Sequence, residues 1–126
     1  MPMIDVYATV GTFADKHKLA VDLATAVMVV EGVPDIPMFR QNTAAFVHEL
    51  AADSLSNVDG DNTYVRVQVL TNAGALDRDK QLAVVERLTQ IVAAAAGDLT
   101  LAERTWVLLI GAQVGSSPGP WGGSPA

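Results

Sequence analysis

The chain is 126 residues long, one domain by length; half of it is apolar and only 17% is charged, against about a quarter in ordinary soluble domains. A net charge of −6, with no stripe of Lys and Arg, argues against a nucleic-acid partner. Cysteine is absent, which excludes disulfides, thiolate catalysis and cysteine-held zinc.

No apolar run approaches the roughly 20 residues of a bilayer-spanning helix, and the start lacks a basic segment followed by an apolar one. No membrane partner is therefore expected, and the cytoplasm is the default compartment.

Met3 to Thr9 is a short β-rich segment, broken at Gly11. From Asp15 to Val30 the residues Leu19, Leu23, Ala26, Val27 and Val30 recur at spacings of three and four, which predicts a helix with one apolar face. Gly32 supplies its stop, and Pro34 and Pro37 keep the chain from continuing as helix. Thr43 to Leu50 reads as a second strand, and Asp53 to Asn62 as a polar loop with room for a short helical turn.

Thr63 to Thr71 alternates, with Tyr64, Arg66 and Gln68 on one face and Val65, Val67 and Val69 on the other. Asp77 is placed to cap a helix from Arg78 to Ala96, which Gly97 ends. Thr100 and Glu103 have the spacing of a capping box. Trp106 to Ile110 is the fourth predicted strand, buried on both faces or at an interface. Residues 111–126, with five Gly and three Pro, form a tail.

The chain thus divides into two similar halves, 1–50 and 63–110. Leu23, Val27 and Gly32 match Leu88, Val92 and Gly97 at a constant separation of 65 positions. The predicted fold class is α/β (α+β): two consecutive β-α-β units forming a four-stranded sheet with two helices on one face. Two helices cover only one face, so the other calls for a partner, and self-association is the simplest source.

The opening Met1-Pro2-Met3-Ile4, the twofold β-α-β plan and the strand-loop-helix passage through Gly11 and Lys18 resemble the tautomerase superfamily. The match in plan is to its fused two-repeat members, such as macrophage migration inhibitory factor and malonate semialdehyde decarboxylase. The resemblance implies a homotrimer in which Met1 is removed and Pro2 becomes an N-terminal secondary amine near a subunit boundary. It further implies a small-molecule substrate of keto-enol, 2-oxo acid type, with Pro2 as general base.

The chemistry is sound independently of the resemblance. An α-amino group titrates near 8 and desolvation lowers it, so it can shuttle protons near neutrality. The sequence departs from the family in its arginines. Thr12 lies near the position where 4-oxalocrotonate tautomerase has arginine. The second-half loop, Thr71 to Leu76, has none, and Ala44 lies near the position of the strand arginine. Substrate-holding cations are then sought at Arg40, upstream of Ala44, at Arg66, and at Arg78, just past the second loop, with Tyr7 as a further wall of the site.

Each has a plainer reading: a solvent-facing arginine for Arg40, an interface hydrogen-bond network for Arg66, a solvated helix start for Arg78. Asp5 and Asn42 are further wall candidates, and Asp5 or Glu49 would be the water-activating carboxylate of a hydrolytic variant. His48 and Glu49 are neighbours on a strand and point to opposite faces. Trp106, Phe39 and Phe46 read as core or interface. His17 and His48 are the only histidines, too few for a metal site without thiols. No glycine-rich phosphate motif is present, so no cofactor is expected.

The leading functional expectation is a tautomerase-like isomerase. The alternatives are a non-catalytic oligomeric binding or structural protein on the same scaffold, or a proline-dependent dehalogenase, decarboxylase or hydratase.

Overall fold

Alternation of side chains decides the architecture. In β1 (Met3–Thr9) Ile4, Val6 and Ala8 are buried and their neighbours are not, the period-two pattern of a strand with one covered face. The computed structural model describes residues 2–112. β2 (Ala44–Leu50), β3 (Val65–Asn72) and β4 (Thr105–Ala112) complete a sheet of order β2-β1-β3-β4. The outer pairs are parallel, and the two halves meet antiparallel between β1 and β3.

Parallel pairing needs a crossover, supplied by α1 (Lys16–Glu31) in the first half and, after the short α2 (Pro37–Gln41), by α3 (Arg78–Ala96) in the second. Both long helices lie on one face, as expected. The core between them is aliphatic. Ile4, Val6, Val65, Val67 and Val69 form its floor, and Leu19, Leu23, Val27, Val84, Leu88 and Val92 its roof, none more than 1% exposed. Each such side chain contributes roughly 1.5–3 kcal/mol by leaving water.

The repeat shows in the helix ends. Asp15 and Asp77 accept from the backbone N–H of Lys18 and Lys80 at 3.0 and 2.9 Å, satisfying donors that a helix start leaves free. Gly32 and Gly97 close the helices in the left-handed region, at φ 78° and 68°, where a Cβ would be strained.

Four local expectations change. Pro37 begins α2 rather than only stopping helix, because the first helical position has no use for the missing N–H. Asp98, not Thr100, caps the turn Leu99–Arg104, a 3₁₀ helix, with its carboxylate accepting from Thr100 N–H at 3.0 Å. β4 runs on to Ala112, two residues into the stretch read as tail; residues 113–126 lie outside the described part. Finally, of the two placements expected for β4, burial on both faces fails within one chain, which leaves the interface placement. Trp106, Leu108 and Ile110 are 60%, 41% and 40% exposed.

Candidate active site at one end of the sheet

Strand direction determines which residues gather around Pro2. β1 leaves Pro2 and runs away from it, α1 returns and ends at Glu31, and β2 starts again beside Pro2. The Ala44 N–H donates to the Pro2 carbonyl at 3.4 Å. β3 is antiparallel to β1, so its end at Asn72 and the start of α3 lie at this same end. Pro2 is buried and continues the series of Ile4, Val6 and Ala8 on the helix-covered side.

The pairing of Met3 with Leu70, carried one residue further, sets Pro2 against Thr71. Thr71 is the one buried polar side chain among the described residues, and its hydroxyl donates to the Glu31 carboxylate at 3.1 Å. The Lys80 ammonium donates to the Glu31 backbone carbonyl at 2.9 Å. A buried strand end, a carboxylate and an ammonium therefore meet where α1 and β3 end and α3 begins. Sequence reasoning missed Glu31, Thr71 and Lys80. One signal was available: Glu31 is an acid in the last turn of a helix, where the dipole disfavours negative charge.

The arginines sort differently. α2 and the start of α3 bring Arg40 and Arg78 to the Pro2 end. The Arg40 guanidinium is taken by Asp35 at 2.8 Å, and it borders a groove along α1 with Val21, Met28 and Thr43. Arg78 is exposed and makes no ion pair among the described residues. Asn42, the C-cap of α2, donates to the Met38 carbonyl at 2.7 Å.

Tyr7 and Arg66 are cross-strand partners on the open face of the sheet, not on the covered side with Pro2. The Arg66 guanidinium sits 5.2 Å from the Tyr7 ring centroid and donates to Gln68 at 2.9 Å. Tyr7 stacks on His48 at 4.4 Å, and His48 Nε2 lies 2.7 Å from the Asp5 carboxylate. Glu49, on the other face of β2, pairs with Lys16 at 3.5 Å. Asp5 is thus engaged on the open face and Glu49 at the opposite end of the sheet from Pro2, while His48 and Glu49 point apart as expected. The described residues contain no group of three or more His, Asp or Glu able to hold a metal ion.

Comparison with solved structures identifies the architecture. The chain is similar to Pt0534 inactivated by 2-oxo-3-pentynoate, at TM-score 0.77 and 19% identity over 95% of this chain and 93% of that one. It is similar to the symmetric trimer of the wild-type Q0 fused 4-OT, at TM-score 0.71 and 24% identity over 97% and 94%.

The fold is that of the fused 4-OT proteins. Malonate semialdehyde decarboxylase, solved as wild type, inactivated, and as a mutant with its first-position proline changed to alanine, shares the architecture. It matches at TM-score 0.67 and 14% identity, over 93% of this chain and 90% of that one. No family model and no curated protein matches the sequence.

Proposed function

We propose that this chain is a tautomerase-type isomerase in which Met1 is removed and the Pro2 nitrogen is the general base. The observation that carries the reading is the burial of Pro2 at the sheet end where α1 and β3 end and α3 begins. Desolvation there favours the neutral amine. In ketonisation that amine takes the enol O–H proton. The oxygen then forms the carbonyl, and the C=C pair collects a proton from the new ammonium on carbon.

The substrate class is a small 2-oxo acid in its enol form. Lys80 and Arg78 are the cations at that end suited to its carboxylate, and Arg40 joins them on leaving Asp35. The assembly is a homotrimer that covers the open sheet face, consistent with the exposed Phe46, Trp106, Leu108 and Ile110.

Intact and native mass spectrometry come first, followed by ultraviolet assay of phenylenolpyruvate ketonisation. The expected result is a trimer lacking Met1 whose turnover falls about 100-fold or more in Pro2→Ala, the scale of general-base catalysis. Retention of Met1, which leaves Pro2 as an amide, would end the reading.

A second reading is a non-catalytic oligomeric protein. The commitment of Arg40 to Asp35 favours it, and a Met1-free trimer without turnover would select it.

A further inference from the structure

We propose that Glu31 is a positioning residue for the proton carried by Pro2, its carboxylate stabilising the ammonium form inside a buried site. The inference rests on the reading of Pro2 as the base and adds what that base lacks. Burial alone drives an amine toward neutrality, and a base that never holds a proton cannot hand one back to carbon. Proton shuttling works best when both forms are populated at the working pH.

The geometry supplies the counterweight. Thr71, set against Pro2 by the strand register, fixes one Glu31 oxygen at 3.1 Å. No cation is paired with that carboxylate among the described residues, since the Lys80 ammonium goes to the Glu31 backbone carbonyl instead. Glu31 also stands at the end of α1 against the helix dipole, a placement that helix stability alone would not choose. Local rules broken at one residue point to function.

The other charges at this end do not duplicate its role. Asp35 is paired with Arg40, and Asp77 caps α3. Arg78 and Asp79 are exposed and opposite in sign. Lys80 opposes Glu31 in sign. β1, β2 and β3 bring no charged side chain to the covered side here; Asp5 lies on the open face with His48.

The test uses full-length protein carrying ¹⁵N-proline, its mass showing that Met1 is absent. The Pro2 nitrogen is titrated by NMR, and kcat/KM is followed against pH. Removing a neighbouring negative charge destabilises the ammonium, so in Glu31→Gln the midpoint falls by on the order of one unit. The rising limb of kcat/KM moves to lower pH with it. Gln retains an acceptor for the Thr71 hydroxyl, and Glu31→Asp, which keeps the charge, stays closer to wild type.

Lys80→Met loosens the same helix end but removes a positive charge, so its midpoint holds or rises. A midpoint unmoved by Glu31→Gln, or shifted the same way by Glu31→Gln and Lys80→Met, overturns the proposal and leaves Glu31 as a tie at the end of α1. A wild-type amine that titrates and responds to Glu31→Gln without turnover sinks the isomerase reading alone. Retained Met1 sinks both.

Discussion

The two faces of the sheet are built from the same four strands by residues of opposite parity, and they obey different rules. The covered face is uniformly aliphatic in its centre, with Ile4, Val6, Val65, Val67 and Val69 closed off by the two helices. The open face mixes a polar strip, Asp5, His48, Tyr7, Arg66 and Gln68, with exposed Phe46, Leu108, Ile110 and Trp106. The first face needs only volume and is complete within one chain. The second offers apolar area around satisfied polar contacts, the composition of an association surface, and in the proposed trimer it is completed between chains.

That comparison is easiest to break on the covered face. Leu88→Ala removes a fully buried side chain and is expected to cost about 2–5 kcal/mol in urea or thermal unfolding, whatever the assembly state. On the open face Leu108→Glu is expected to lower the subunit count in native mass spectrometry. A variant that stays trimeric would show that this face is not the contact.

Smaller still is Arg66→Met, which loses an exposed cation–π contact of about 0.5–1 kcal/mol and is best read as a change in urea midpoint.

The smallest effect is electrostatic. The Thr100 hydroxyl, followed by its backbone N–H and the Arg104 charge, holds the exposed Asp98 carboxyl below its usual range. A lowered folded value means stability that is present above the unfolded value near 3.9 and lost as pH falls through the folded one. Asp98→Asn should therefore lower stability slightly at neutral pH, flatten the acid dependence of unfolding below about pH 4, and leave stability in strong acid nearly alone.

The fold was legible in the sequence because its determinants are local and repeated. Leu23, Val27 and Gly32, matched by Leu88, Val92 and Gly97, announce two helices with identical stops, and both glycines occupy the left-handed caps they promise. Pro37 was misread because a proline that ends one helix is equally suited to begin another.

The candidate site was legible only in part. Pro2 stands out in the sequence by its position. Glu31, Thr71 and Lys80 do not, because the contacts joining them span 40 and 49 positions and exist only once α1, β3 and α3 meet. The Asp5–His48 pair is hidden for the same reason: it depends on strand register, which no window of sequence displays. Arg40 looked available because its partner Asp35 sits five residues away in an irregular stretch, where no periodicity signals a pair.

The antiparallel join of β1 and β3 has a chemical consequence of its own. Two matched halves meeting head to tail give the sheet a strand start at each end, with Pro2 leading into β1 on the covered side and Tyr64 leading into β3 on the open face. At Tyr64 the backbone nitrogen belongs to a peptide bond whose lone pair is delocalised into the carbonyl, so it cannot take up a proton. If Met1 is removed as proposed, only the Pro2 end becomes an amine. In the proposed reading that second end, where Tyr64 packs edge-on to Trp106 beside Leu55, carries no base and can change its side chains without touching Pro2.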